Sequence, residues 1–314
     1  MRGIHHITAI SGKAIRNLDF YARTLGLRFV KKTVNFDDPG THHLYYGDEA
    51  GRPGTILTFF PWEHATAGRS GVGLAQTTAF RIPAGSMGYW THRLIEKGVK
   101  HDALVKRFGE PVLSFADLDG MGLALVGAAG AEAEVAWSNG EIPAEHAIRG
   151  FHGVTLMLDS SAATGAILTD VLGFENAGRE GGPEGALVRY RANDGIGGVV
   201  DIREAKGFLP GRMGRGSVHH VAFRAADDAE QTAMARKLGK NHGMHPTGQK
   251  DRQYFRSIYF REPGGVLFEI ATDQPGFTVD EPLADLGKGL KLPRFLESRR
   301  NELEAVLPSL ELAV

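Results

Sequence analysis

The 314-residue chain contains no cysteine. Disulfides, thiolate nucleophiles, iron–sulfur clusters and cysteine-ligated zinc are therefore excluded, and any transition metal must be held by nitrogen and oxygen. An excess of charge is also missing. Lysine and arginine total 36 against 37 acidic residues, a net charge of -1, so nothing electrostatic points to nucleic acid or an anionic membrane as a partner. No apolar run approaches the roughly 20 residues of a membrane helix. The opening stretch from Met1 to Ile7 reads as a strand and lacks the apolar core of a signal peptide. These absences predict a cytoplasmic protein whose partners are small molecules, with no nucleic acid and no membrane, and they leave homo-oligomer formation open.

What the chain does have is core-forming capacity, with 42% hydrophobic residues, and 13 histidines. It also repeats itself. Gly3-Ile4-His5-His6-Ile7-Thr8-Ala9 returns 147 positions later as Gly150-Phe151-His152-Gly153-Val154-Thr155-Leu156, and the same offset carries Leu25-Gly26-Leu27 onto Leu172-Gly173-Phe174. Fainter copies start at Ala75-Gln76-Thr77-Thr78-Ala79-Phe80 and Ser217-Val218-His219-His220-Val221-Ala222-Phe223. The chain therefore divides into four modules, at 2–62, 72–128, 148–204 and 215–272.

Each module shows a short alternating strand, a helical stretch and three further strands. In the first, Leu18, Tyr21 and Leu25 fall at helical spacing, and strands are expected over 28–35, 42–46 and 54–60. The fourth closes with strands over 253–260 and 266–271. A lone β-α-β-β-β unit leaves sheet edges open, so the modules should pair. The predicted fold is α+β, with four βαβββ modules paired into two half-closed β-barrels. By chain order this gives an N-terminal domain over 1–140, a C-terminal domain over 141–280 and a helical tail over 281–314. The tail is expected to pack through Phe295, Leu296, Leu303, Val306 and Leu307.

Stacking the modules exposes two chemical columns. The opening-strand column holds His6, Thr77, Gly153 and His220, and the closing-strand column holds Thr58, Leu125, Asp201 and Glu269. If the first and fourth modules share a barrel, His6, His220 and Glu269 converge. Two histidines and one carboxylate form a facial set that leaves positions open and suits Fe(II) or Mn(II). Glu269 lies in the apolar strand Val266-Leu267-Phe268-Glu269-Ile270, where an unpaired inward carboxylate is costly. His5, His152 and His219 precede this column by one residue, so alternation turns them to the opposite face, from which they can still orient neighbours of the site. Tyr259 and Arg252, on the approach to Glu269, are candidates to donate to an oxygen or steady an oxyanion. His42 and His43 read equally as barrel lining or surface.

On Phe20-Tyr21, Leu25-Gly26-Leu27 and the paired β-α-β-β-β modules, the chain resembles the vicinal oxygen chelate superfamily, whose fold is that of glyoxalase, bleomycin resistance protein and dihydroxybiphenyl dioxygenase. Ile4-His5-His6-Ile7-Thr8, Lys31-Lys32-Thr33, His43-Leu44-Tyr45-Tyr46-Gly47-Asp48, Gly54-Thr55 and His219-His220 resemble more closely the ring-cleaving dioxygenases related to (chloro)hydroquinone dioxygenases. That resemblance implies a mononuclear Fe(II) held by His6, His220 and Glu269, with His5, Thr8, His219, Arg252 and Tyr259 shaping its surroundings. It implies O2-dependent cleavage of a hydroquinone- or catechol-like aromatic. Two other functions suit the same fold. A glyoxalase-type isomerase or lyase would use Zn(II), Ni(II) or Mn(II), but Thr58 stands where its second carboxylate is expected. A non-catalytic protein that sequesters a drug or quinone would not need the three ligands together.

Overall fold

The computed structural model describes residues 3–310 apart from 139, 183, 184 and 194. The first module contributes β1 (Ile4–Ser11), β2 (Arg28–Asn35), β3 (Asp38–Gly47) and β4 (Ile56–Pro61). The second contributes β5 (Leu74–Pro83), β6 (Val105–Arg107), β7 (Glu110–Ala116) and β8 (Gly122–Ala128). The third holds β9 (Phe151–Leu158), β10 (Glu175–Glu180), β11 (Ala186–Arg191) and β12 (Val199–Glu204). The fourth holds β13 (Ser217–Ala225), β14 (Lys250–Asp251), β15 (Arg256–Arg261) and β16 (Leu267–Thr272). After each opening strand comes a helix: α1 (Ala14–Leu18), α2 (Met87–Glu96), α3 (Ala162–Asp170) and α4 (Asp228–His242).

Two curled eight-stranded sheets result. One runs β14-β15-β16-β13-β1-β4-β3-β2 and the other β10-β11-β12-β9-β5-β8-β7-β6. The first module thus joins the fourth and the second joins the third, so each sheet draws strands from both halves of the chain. At each seam two opening strands run antiparallel, β1 on β13 and β5 on β9. Both β1 and β9 are buried along their whole length, as a central strand covered on both faces has no solvent side.

The two seams contain four register irregularities that alternation does not foresee. Between Ile4 and His6, β1 advances two residues while β13 moves from Phe223 to Ala222, so His5 is an extra residue. Beyond Thr8, the extra residue is His219 on β13. The second sheet repeats the pattern with Gln76 on β5 and His152 on β9. Such bulges re-aim side chains, and they correct the expectation that His5, His152 and His219 face away. The register also corrects one column. Ala222 pairs with Glu269 and the equivalent Ala79 pairs with Ala124, so Ala124, not Leu125, takes the place of Glu269.

In the first module the helical stretch buries Leu18, Tyr21 and Leu25, as their spacing requires, although it widens after α1 into a π-helical turn over Asp19–Thr24. Gly26 ends it at φ 71°, pressed against Ile142 so closely that a Cβ would collide. The tail forms a 3-10 turn over Arg294–Arg299 and then α5 (Arg300–Val306). Leu296 and Leu303 pack on Val34 of β2 with Leu292, whereas Phe295 and Val306 stay exposed. Residues 311–314 of the expected tail lie outside the described residues. No helix among the described residues is long and apolar enough to cross a membrane.

One buried charge ties the tail segment to the sheet built from the first and fourth modules. Lys31 is wholly buried, with its ammonium 2.5 Å from Glu281, 2.6 Å from Asp280 and 3.2 Å from the Phe277 carbonyl. Replacing it takes the nearest counter-charge from Asp280 and Glu281, and breaking a buried pair costs about 3–5 kcal/mol. Lys31→Met should therefore lower the melting temperature by roughly 5–8 °C for a chain of this size, and adding Glu281→Leu should restore part of the loss because fewer orphan charges remain. Calorimetric melting of the two variants checks this.

Candidate metal centre

β1 and β13 bring His6 and His220 together, and β16 beside β13 adds Glu269. The Nε2 atoms of the two histidines stand 3.3 Å apart. One Glu269 carboxylate oxygen, Oε2, lies 2.9 Å from the His220 Nε2 and 3.3 Å from the His6 Nε2. All three residues are buried, and this is the one group among the described residues whose nitrogen and oxygen atoms could together hold a metal ion.

The residues fit such an ion. Donors at about 2.1 Å on adjacent corners of an octahedron stand about 3 Å apart, close to the three separations observed. The Glu269 Oε2 has no hydrogen-bond partner despite its burial, because the nearby ring nitrogens approach it without hydrogen-bond geometry. Its other oxygen accepts from the Ser257 hydroxyl at 2.5 Å. Burial by itself would raise the Glu269 carboxyl, but the close His6 and His220 rings outweigh that and hold it well below the ordinary range. Burial pushes His220 down despite its contact with Glu269.

The bulged histidines orient the inner pair. His5 Nδ1 meets His6 Nδ1 at 2.9 Å, and His219 Nδ1 meets His220 Nδ1 at 2.8 Å. Ligation through Nε2 places the proton of each inner ring on Nδ1, where it donates to the bulged neighbour. His5 is then anchored by its other ring nitrogen to the Thr272 backbone, and burial pushes it well below the ordinary histidine range. His219 lines the cavity above the cluster, and burial, aided by His220, lowers it to about 3. Having accepted at Nδ1, it presents Nε2–H to that cavity.

The cavity has a volume of about 400 Å³, with Glu269, His6 and His220 at its base. Phe60 and Trp62 stack in one wall at 5.6 Å between ring centroids, and Phe255 packs on His6 at 4.8 Å. Tyr259 and Arg252 form another wall. Arg252 sits in the turn between β14 and β15, and its Nε donates to the Tyr259 hydroxyl at 3.1 Å while Nη2 reaches Asp37 at 2.9 Å. Although burial disfavours its charge, Tyr259 and Asp37 keep Arg252 protonated, and burial keeps the Tyr259 phenol protonated.

Thr8 does not reach the cluster. Its hydroxyl lies 2.8 Å from that of Thr58, which lies 2.8 Å from the His43 Nε2, and the Tyr45 hydroxyl is 2.8 Å from the His43 Nδ1. His43 is thus cavity lining, whereas its neighbour His42 donates to the Pro308 carbonyl of the tail. Sequence reasoning missed Tyr45, Phe60, Trp62 and Phe255. For Tyr45 a signal was present, since it stands one strand over from Thr58 as Tyr259 stands from Glu269.

The second sheet holds Thr77, Gly153, Ala124 and Asp201 at the equivalent positions. A Cβ at Gly153 would collide with the Val199 carbonyl, so no side chain fits where His6 stands in the first. Its centre is an ion-pair cluster instead. Arg189 makes two 2.8 Å bonds to Asp201 and one of 2.6 Å to Glu110, which His152 meets at 3.1 Å. Partial burial would raise Glu110, but His152 and Arg189 lower it to about 2.

Comparison with known proteins agrees with this fold. Residues 141–270 match the Glyoxalase/Bleomycin resistance protein/Dioxygenase superfamily. The chain is 45% identical to a Bacillus subtilis (strain 168) protein named "Putative ring-cleaving dioxygenase MhqO", over 99% of this chain and 97% of that one. It is 35% identical to the chlorohydroquinone/hydroquinone 1,2-dioxygenase of Sphingobium indicum, over 96% of this chain and 95% of that one. A crystal structure of a "putative dioxygenase from Bacillus subtilis" superposes with a TM-score of 0.92 at 45% identity, covering 98% of this chain and 97% of that one. Glyoxalase I from Zea mays shares the fold at a TM-score of 0.63 and 13% identity, covering 87% of this chain and 93% of that one. Full-length likeness of this degree, on two sheets built from four β-α-β-β-β modules, means that the chain belongs to the glyoxalase/bleomycin resistance protein/dioxygenase superfamily.

Proposed function

We propose that the protein is an Fe(II)-dependent, extradiol-type ring-cleaving dioxygenase that acts with O2 on a hydroquinone- or catechol-like aromatic. The observation that carries this reading is the convergence of His6, His220 and Glu269, with a buried carboxylate oxygen lacking a hydrogen bond, at the base of one aromatic-walled cavity. Relatives named as ring-cleaving and hydroquinone dioxygenases support it. Fe(II), or Mn(II), which the same donors admit, would supply open positions for a substrate oxygen and for O2, and one-electron chemistry between them.

The protein's part is geometry and protons. Phe60, Trp62 and Phe255 give a ring flat apolar surfaces to lie on and keep water from its faces. Tyr259, its oxygen already accepting from Arg252, keeps its own proton to donate to a substrate oxygen, and the Arg252 charge favours an oxyanion there. His219 offers a second proton at Nε2. His5 holds the His6 ring in the tautomer that frees Nε2. Thr8 acts one step back by bonding Thr58. Thr58 offers no carboxylate to serve as the second base of an isomerase.

Single replacement of His6, His220 or Glu269 by alanine should abolish stoichiometric iron in anaerobically purified protein while the circular dichroism spectrum is retained, since the sheet forms around the ligands. Full iron occupancy in Glu269→Ala would remove Glu269 from the set. His5→Ala, which removes an orienting partner and no ligand, should weaken iron binding by about 10–100-fold, read by competition with a chelator.

The iron-loaded protein should consume O2 with a hydroquinone or a catechol and place oxygen in a ring-opened product, shown by mass spectrometry with labelled O2. Turnover of an α-keto aldehyde adduct in a sealed anaerobic vessel, with hydroquinone and catechol untouched in air, would instead establish isomerase chemistry.

A further inference from the structure

The register makes Tyr45 and Tyr259 counterparts. β4 lies beside β1 with Thr8 opposite Thr58, and β16 lies beside β13 with Ala222 opposite Glu269. One strand further out, Tyr45 pairs with Thr58 and Tyr259 with Glu269. The same step places His43 where the fourth module has Ser257, two residues before each tyrosine. The seam thus carries two phenols to one cavity, which both of them line. Arg252 supports one of them; the other ends a hydrogen-bond chain.

We propose that Tyr45 contacts the bound substrate, binding the ring oxygen that the metal does not hold, with His43 and Thr58 as its positioning residues. This rests on the dihydroxy-aromatic reading above. The chain Tyr45–His43–Thr58–Thr8 has three links of 2.8 Å each. Burial pushes His43 well below the ordinary histidine range, with His6 and His220 adding to it, and raises Tyr45 well above the ordinary phenol range. Both groups are therefore neutral, and each holds a single mobile proton.

Two proton orderings satisfy all three links. With the imidazole proton on Nε2, His43 donates to Thr58 and Thr58 to Thr8, while the Tyr45 hydroxyl donates to Nδ1 and leaves its oxygen free to accept from a ligand O–H. With the proton on Nδ1, Thr8 donates to Thr58, Thr58 to Nε2, and Nδ1–H to Tyr45, whose own O–H then turns into the cavity as a donor. The chain thus lets one phenol meet a ligand oxygen either as hydroxyl or as oxyanion, with no charge left on the protein. Tyr259 lacks this freedom, because the Arg252 guanidinium only donates.

The test compares a ligand with two ring oxygens, hydroquinone, with one that has a single oxygen, phenol, by anaerobic calorimetric titration of the Fe(II)-loaded protein. Tyr45→Phe should weaken hydroquinone about tenfold and phenol less than about twofold, the worth of one hydrogen bond. Thr58→Val should weaken hydroquinone about threefold, and Thr58→Ser should restore it, an outcome that loss of packing alone would not give. If Tyr45→Phe fails to fold, the Thr58 pair carries the same comparison. Unchanged hydroquinone affinity, or equal losses for both ligands, overturns the assignment. Failure of hydroquinone to bind the wild-type protein overturns it together with the proposed substrate class. The expected pattern without O2 uptake on admission of air supports the assignment and sinks the dioxygenase reading alone.

Discussion

β1 and β13 run antiparallel along the seam of the first and fourth modules, and each carries one residue more than its partner where the histidines stand. In an unbroken ladder, adjacent residues point to opposite faces, and His5 and His219 would be lost to the helix side. The extra residue in each strand swings the two rings of each pair toward one another, with 5.1 Å between centroids in both. His6 and His220, whose Nε2 atoms face Glu269, therefore each have a partner at Nδ1 that sets the tautomer. His5 is itself tied to the Thr272 backbone, so the orientation of His6 is referred back to the sheet and not to a mobile side chain.

The same frame serves a different purpose in the other sheet, which keeps the bulges at Gln76 and His152. Its centre has lost the acceptor set at three points: Thr77 cannot replace a histidine, Gly153 has no room for any side chain, and Ala124 offers no oxygen. Asp201 alone remains, and Arg189 neutralises it through a bidentate pair. A buried ion pair seldom adds net stability, but removing one partner of it is expensive. The cluster of Arg189, Asp201, Glu110 and His152 thus fills the position that a metal would otherwise have to neutralise. The molecule has two geometrically matched centres, of which one carries donors for a metal and the other carries its own counter-charge.

How much of this could be read from the chain follows from what each signal depends on. The pairing of the first module with the fourth entered only as the condition under which the candidate ligands meet, but the offset of 147 between Gly3-Ile4-His5-His6 and Gly150-Phe151-His152-Gly153 is a property of residue order, so the modules themselves were legible. His6, His220 and Glu269 emerged from their columns for the same reason. The bulges did not, because a two-residue period says nothing about where a partner strand slips; Leu125 stood in for Ala124 because the register of β8 on β5 is not written in the residue order. His43 stayed ambiguous for want of its partners, since Thr58 and Tyr45 become neighbours only through the β3–β4 register. The tail was legible as an apolar pattern but not in its detail. Leu296 and Leu303 are buried while Phe295 and Val306 face outward, because the turn preceding α5 is 3-10 and shifts the helical phase.

The segment just after the fourth module also accounts for a feature of the cavity that no single module supplies. Arg252 sits in a tight turn where Gln253 adopts φ 67°, a conformation unfavourable to residues with a Cβ. Asp280, just beyond the fourth module, holds that turn by accepting from the Gln253 amide at 2.6 Å and the Tyr254 hydroxyl at 3.0 Å. Its other carboxylate oxygen takes the buried Lys31 ammonium of β2. Strand β2 runs to Asn35, and the turn beyond it presents Asp37, which reaches across to Arg252. The guanidinium is thus fixed from both sides, by a turn that Asp280 pins in the fourth module and by a carboxylate that the first module extends over the cavity. A cation supported in this way loses little freedom when an oxyanion forms beside it, and that is the condition under which a fixed charge stabilises a developing one most effectively.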